Sequence, residues 1–267
     1  MTPLEPTLSS GFTLTPQRLD LRFRVARLTA REWLTPSYVR VRLEGEDLIG
    51  FDSPGSDDHI RVFFPPVGAD VPATAEELRT HPSREYTPLE WDADAGRLDL
   101  EFAVHGDAGV AAPWAATAAI GSVAGVGGPR GAKVLAGRPD GWLLAGDETA
   151  VPAIRRFAQL MDDASVGRIL VEVPDAAHEL PIDAPAGVSV EQVHRGTAPS
   201  GGALAARLDA LSTADRPEGD VFGFVAAEQA IVRTGRALLL DRWGLDLGKV
   251  TVKGYWKSGE AEYHAPH

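Results

Sequence analysis

The hydrophobic pattern of this 267-residue chain changes once, near its middle, and that change constrains the fold more than any other feature. From Leu21 to about Lys133 apolar residues recur with period two. Tyr38-Val39-Arg40-Val41-Arg42-Leu43 alternates polar with apolar, and Leu98-Asp99-Leu100-Glu101-Phe102 does the same, as half-buried antiparallel strands require. Phe23–Leu28, His59–Phe64, Glu85–Trp91 and Ser122–Val126 read as further strands between Gly, Pro and Asp clusters. Five or six short strands joined by turns predict a small all-β antiparallel barrel. Pro65–Pro82 reads as a long polar connection with one helical turn, and the alanine-rich Val110–Ile120 as a short helix.

After Pro139 the rhythm is strand, then helix. Trp142–Ala145, Arg168–Val173, Val188–Val193, Val221–Val225 and Val250–Val252 are short apolar runs of buried-strand type. Between them Val151, Ile154, Ala158 and Met161 recur at helical spacing, with Pro152 tolerated in the first turn. Ser200 can cap a helix carrying Leu204, Leu208 and Leu211, and Glu228–Trp243 reads as a helix ended by Gly244. This alternation predicts an α/β domain with a parallel sheet, whose ligand lies beyond the carboxyl ends of the strands. The expected division is a tail over 1–18, a barrel over 19–133, a linker over 134–141, the α/β domain over 142–260 and a tail over 261–267.

Charge and composition exclude several functions. A formal charge of −12 repels phosphate backbones and anionic lipid, so neither nucleic acid nor a stable membrane association is expected. Without cysteine there is no disulfide, thiolate zinc site or cysteine-held iron-sulfur cluster. An electron-transfer function would need an organic cofactor. No apolar run approaches the roughly 20 residues of a membrane span, and Met1–Asp20 lacks the pattern of a signal peptide. A soluble cytoplasmic protein is expected. No Ser-His-Asp set, metal-ligand cluster or catalytic carboxylate pair stands out, and no metal is expected.

The candidate chemistry lies in short motifs. Within Arg84-Glu85-Tyr86-Thr87, Arg84 and Tyr86 share one side of an extended segment, and Pro88 restricts Thr87 so that a bend follows. The arginine can pair bidentately with a pyrophosphate, the tyrosine can stack on a flat ring system, and the hydroxyl can donate to a ring nitrogen. FAD meets all three needs, while an ordinary surface strand would also carry such residues. His105-Gly106-Asp107-Ala108-Gly109 leads into the alanine-rich helix with Trp114 just inside; a glycine turn feeding a helix start suits a pyrophosphate. His105 either leans on the flavin or satisfies a turn. Gly128-Pro129-Arg130-Gly131 is a second tight turn, with Arg130 as its cation.

The stretch from Trp142 to Ile154 is a strand, a sharp turn and a helix start. Its acids Asp147 and Glu148 would repel a phosphate placed on them, so Gly146, Asp147, Glu148 and Thr149 are assigned to the nicotinamide and its ribose. An acidic helix start stabilised by the macrodipole would also account for them. His194-Arg195, at the end of a strand, offers positive charge where an adenosine 2′-phosphate would lie.

The order Arg-x-Tyr-Thr, His-Gly-Asp-x-Gly with a following Trp, Gly-Pro-Arg-Gly, Gly-Asp-Glu-Thr-Ala-x-Pro-Ala-Ile and the late Gly254-Tyr255-Trp256-Lys257-x-Gly259 resembles the siderophore-interacting protein family. These are flavin reductases of the wider ferredoxin-NADP reductase-like group, and the resemblance spans about residues 20–260. It implies an FAD-binding barrel followed by an NAD(P)H-binding α/β domain. Arg84 would meet the FAD phosphates, Tyr86 would stack on the isoalloxazine, and Thr87 would approach its N5, which makes Tyr86 and Thr87 the catalytic pair. Gly109, Val110, Ala111 and Ala112 would cover the pyrophosphate, and Trp256 joins the cofactor-binding set. The family usually shows Gly-Pro-Ala-Ser there, so a hydroxyl donor is missing at Ala112, a loss of about 1 kcal/mol in FAD binding. Ala132 likewise stands where a Ser often follows Gly-Pro-Arg-Gly.

The implied activity is a ferric-siderophore reductase that takes hydride from NADPH, with NADH as the other admissible donor, and releases iron as Fe(II). Lys253 and Lys257, flanking Tyr255-Trp256, would offer the ferric siderophore a positive pocket, or are exposed strand lysines. A monomer is expected. The competing readings are a general NAD(P)H:flavin oxidoreductase and a non-catalytic flavin-containing siderophore-binding protein.

Overall fold

A computed structural model of the chain describes residues 11–68, 74–104, 109–260 and 263. Its first half contains β1 (Gly11–Arg18), β2 (Phe23–Thr35), β3 (Tyr38–Glu44), β4 (Ile60–Phe63), α1 (Ala75–Leu78), β5 (Ser83–Tyr86), β6 (Glu90–Asp92), β7 (Arg97–Ala103), α2 (Ala111–Thr117), β8 (Val123–Gly127) and β9 (Gly131–Arg138). Seven of these strands form an antiparallel sheet in the order β5-β4-β8-β2-β3-β7-β6. The period-two pattern has a direct cause in the β3–β7 register. Val39, Val41 and Leu43 point inward and are fully buried, while Arg40 and Arg42 face Glu101 and Asp99 directly across the ladder.

The segment expected as one strand, Glu85–Trp91, is two. Pro88 cannot donate to a ladder, and the chain leaves the sheet at Thr87 and rejoins it at Glu90. β5 and β6 lie at opposite edges of the sheet, yet three residues connect them, which requires the sheet to curl into a barrel-like form. Leu28, Val62, Leu100, Phe102 and the Trp114 of α2 fill its interior.

The second half contains β10 (Gly141–Asp147), α3 (Val151–Ala158), β11 (Val166–Val173), β12 (Val188–His194), α4 (Gly202–Asp209), β13 (Val221–Glu228), α5 (Ile231–Arg236) and β14 (Val250–Trp256). The strands are parallel, in the order β12-β11-β10-β13-β14. β10 and β13 are buried along their whole length, as expected of central strands covered on both faces. Val151, Ile154 and Phe157 of α3 cover one face; α4 and α5 cover the other with Leu204, Leu208 and Ile231. Chain order reverses between β10 and β13, so the crevice of an open sheet opens at their carboxyl ends.

Three expectations need correction. Residues 11–18 of the expected tail and 134–138 of the expected linker are strand: β1 pairs with β9 from Gly11↔Arg138 to Arg18↔Gly131. Phe12 of this ribbon and Tyr38 of β3 enter the α3-side core of the parallel sheet, so the two halves share buried surface. The helix α4 starts at Gly202 after a left-handed Gly201, not at a Ser200 cap. The helix expected over Glu228–Trp243 begins only at Ile231, because Glu228 still belongs to β13, and it widens into a π turn over Ala237–Arg242.

Candidate functional site

On β5, an edge strand, Arg84 and Tyr86 are half-buried and Thr87 is buried at the bend. Arg84 Nη1 donates to the Ser83 carbonyl at 2.7 Å. The Tyr86 ring lies 4.2 Å from that of Phe102 and edge-on to Phe64, and burial pushes its hydroxyl ionisation upward. His105 lies outside the described residues. Gly109 is exposed with a left-handed φ of 84°, Val110 stands at the start of α2 without a side-chain cap, and Ala112 is half-buried while Ala111 is buried. Trp114 is not at the surface of the site. It is 2% exposed against Phe64, because it anchors α2 to the barrel interior. Arg130 is exposed, beyond a cis Gly128-Pro129 bond.

At the carboxyl end of β10 the geometry is dense. Gly146 is required there, since a Cβ would stand 2.4 Å from that of Ala150 and 2.7 Å from the Ala226 carbonyl. Asp147 is fully buried and accepts four hydrogen bonds. Its Oδ1 receives Thr149 N at 2.9 Å and the Thr149 hydroxyl; its Oδ2 receives Glu228 N at 3.1 Å and Trp256 Nε1 at 2.8 Å. Burial, and then the charge of Glu148, push its titration up to about 6. Asp147 thereby ties the ends of β10, β13 and β14 together.

Arg195 and His194 are where the structure departs most from expectation. The Arg195 side chain is 8% exposed; its Nη2 donates to Glu148 at 2.7 Å, and Nη1 lies 3.9 Å from Glu172. An acid as buried as Glu148 needs a cation, and Arg195 turns inward to supply it. His194 is paired with Glu179 at 2.8 Å. Neither is an unengaged cation awaiting a phosphate.

β14 and α3 carry this end of the parallel sheet to the barrel. The Tyr255 hydroxyl is buried beside Thr87, Asp57 and Arg156 without a hydrogen bond of good geometry, and burial holds its ionisation well above the ordinary tyrosine value. Arg156 of α3 donates to the Pro88 carbonyl and the Ser53 hydroxyl, both at 3.2 Å, and to the Ser53 carbonyl, and lies over the Trp91 ring. Arg155 bonds Glu101 at 2.6 Å. Lys253 is paired with Asp57 at 2.6 Å, and the half-exposed Lys257 with Glu260 at 2.6 Å. Tyr255 and Arg156 are the residues the sequence reading left unassigned. Two adjacent arginines in an otherwise apolar helix, and a tyrosine inside the Gly-Tyr-Trp motif, were the available signals. An open cavity of about 470 Å³ is lined by Ser56, Leu89, Trp91 and Arg156, and neither Arg84 nor Tyr86 is among its lining residues. Among the described residues no group of acids and histidines could hold a metal.

The arrangement therefore brings the Arg-x-Tyr-Thr bend, the Gly-Asp-Glu-Thr turn and the Gly-Tyr-Trp strand to one junction. Comparison with known proteins gives a consistent picture. Residues 27–133 match the siderophore-interacting FAD-binding domain and residues 139–259 the siderophore-interacting protein family. The chain is 30% identical over 252 residues to the ferric vibriobactin reductase ViuB of Vibrio cholerae, covering 90% of this chain and 92% of that protein. It is 33% identical to the NADPH-dependent ferric-chelate reductase of Escherichia coli, covering 90% of this chain and 96% of the other. A crystal structure of a siderophore utilization protein from T. fusca superposes with a TM-score of 0.81 at 31% identity, covering 94% and 98% of the two chains.

Proposed function

We propose that this chain, which belongs to the siderophore-interacting protein family, is an FAD-containing ferric-siderophore reductase driven by a reduced nicotinamide nucleotide. The observation that carries the reading is the junction itself. Thr87, the hydroxyl suited to a flavin ring nitrogen, lies beside Tyr255, and the next residue, Trp256, is held by Asp147 of the turn assigned to the nicotinamide.

The residues present fit a flavin. An edge strand offers a guanidinium at Arg84, an aromatic surface at Tyr86 and a hydroxyl at Thr87, and the buried Tyr255 hydroxyl beside them has no protein partner of good geometry. FAD, when bound, supplies the step from a two-electron donor to the one-electron reduction of Fe(III). Arg84 would bind its phosphates, Tyr86 would pack on its ring system, and Thr87 would donate to the ring from a bend that Arg156 fixes through the Pro88 carbonyl. Asp147, by holding the Trp256 indole, would set the edge along which the nicotinamide approaches. Reduction frees the iron because Fe(II) is held less tightly by the hard oxygen donors of a chelate. Lys257 would draw an anionic ferric siderophore to the mouth.

Stopped-flow mixing of flavin-loaded protein with reduced nicotinamide and then a ferric siderophore tests the reading. Flavin bleaching followed by iron-dependent reoxidation is expected. Reduced flavin that leaves the protein would instead indicate a general flavin reductase, consistent with the absent hydroxyl at Ala112, and no bleaching would indicate a binding protein without turnover.

A further inference from the structure

The nicotinamide must meet the flavin where β10 and β14 approach Thr87, so the adenosine half of a dinucleotide runs the other way along the carboxyl edge, over β11 and β12. Two devices there could hold a 2′-phosphate: an arginine after β12 and the N-terminus of α4. Both already face the protein's own carboxylates, although Arg195 Nη1, 3.9 Å from Glu172, has no hydrogen-bond partner. Glu148 holds Arg195 Nη2 at 2.7 Å, and the guanidinium is 8% exposed. Glu172, at the end of β11 and fully buried, accepts Gly201 N at 2.6 Å and Leu204 N at 2.7 Å, so its charge sits where a phosphate at the start of α4 would sit.

The rest of this edge is no more hospitable to a dianion. Between the end of β11 and the start of α4 the other cations in the sequence are histidines, His178 on Asp175 at 2.7 Å and His194 on Glu179 at 2.8 Å. Asp175 and Glu179 are themselves exposed. No lysine occurs between residues 134 and 248. A 2′-phosphate would have to displace a buried carboxylate from its partner, leaving that acid uncompensated, and would face two exposed acids as it did so.

We infer that the electron donor is a dinucleotide without a 2′-phosphate, NADH in preference to NADPH, and that Glu148 and Glu172 enforce the choice by filling the positions a 2′-phosphate would need. The inference deepens the reductase reading and rests on it, and it runs against the preference that His194-Arg195 suggests in the sequence.

The test compares flavin reduction by NADH and NADPH in the FAD-loaded protein, alongside calorimetric binding of 5′-ADP and 2′,5′-ADP. NADH is expected to win in kcat/KM by on the order of tenfold, through KM, with 5′-ADP binding tighter than 2′,5′-ADP. Glu148→Gln should free Arg195 and raise the NADPH/NADH ratio. Should that buried substitution fail to fold, Glu179→Lys, on an exposed residue, should raise the same ratio. Equal or better use of NADPH by the unaltered protein would overturn the inference while leaving the reductase reading intact, as would ratios unchanged in both variants. If neither nucleotide bleaches the flavin, the nicotinamide reading fails on its own. The adenylate titration then decides this inference: tighter 5′-ADP sustains it, tighter 2′,5′-ADP or no binding of either defeats it.

Discussion

Asp147 collects four donors on two oxygens inside a fully buried pocket, and its carboxyl titrates near 6 because burial outweighs those hydrogen bonds. The folded protein holds this proton more tightly than the unfolded chain, where a carboxyl near 4 is ordinary. Its contribution to stability is therefore fully present below about pH 4, fades as pH rises towards the folded value and is gone well above it. Protonation also puts a hydrogen where four donors converge, so the Trp256 bond should weaken in acid. The Trp256 Nε1–H resonance is expected to titrate with a midpoint of about 6 and to stop doing so in Asp147→Asn. Asp58 is pushed to a similar value, but its partners are Ser53 and Gly55, so it should leave that resonance alone. A second residue-scale expectation concerns Tyr86. Tyr86→Ala should lower FAD affinity more than Trp91→Ala, since Trp91 packs on Phe51 and Arg156. Equal losses in a flavin titration, with the fold intact by circular dichroism, would remove Tyr86 from the site.

Among the elements, α3 reaches from the parallel sheet into the barrel alongside β14. Arg156 is 7% exposed and donates to the Pro88 carbonyl within the Thr87–Leu89 link and to the Ser53 carbonyl in the loop before β4, and no aliphatic side chain can replace those bonds. Arg156→Leu should cost about 2–4 kcal/mol in urea unfolding, from lost charge-assisted bonds and carbonyls left unsatisfied. It should also weaken flavin binding by loosening the bend that carries Thr87, and an unchanged flavin affinity would show that the bend is held by Pro88 alone. Elements of this kind were legible in the sequence where their partners are in register, as with Arg40 and Arg42 opposite Glu101 and Asp99. The β1–β9 ribbon was not, because its two segments lie at opposite ends of the first half and neither alternates strongly alone. The inward turn of Arg195 was hidden for the same reason: Glu148, in the turn after β10, and Glu172, on β11, reach it from elsewhere in the sequence. The motifs located the junction, but Trp114 could not be told from a cofactor ligand until the interior it fills was visible.

At the scale of the whole molecule, a net charge of −12 opposes any anionic chelate, so productive encounter depends on local positive charge near the Thr87–Trp256 junction. Lys253 contributes little, since its ammonium is spent on the buried Asp57 and joins β14 to the barrel. Lys257 differs. It is half-exposed and, among the described residues, forms its ion pair with Glu260 three residues on, and a pair of that exposure is worth little and opens readily. Lys257→Glu should raise the apparent KM for an anionic ferric siderophore by several-fold at low salt, an effect that should shrink as ionic strength shortens the screening length to about 8 Å near 0.15 M. Flavin reduction by the nicotinamide nucleotide should be nearly unaffected, because on the proposed function Asp147 and the carboxyl edge of β10 would set that approach. A neutral ferric hydroxamate separates steering from structure: its KM should change much less. If both chelates suffer alike, or the nicotinamide half-reaction slows in parallel, Lys257 supports the fold or the nucleotide, and the mouth for the siderophore lies elsewhere on the barrel.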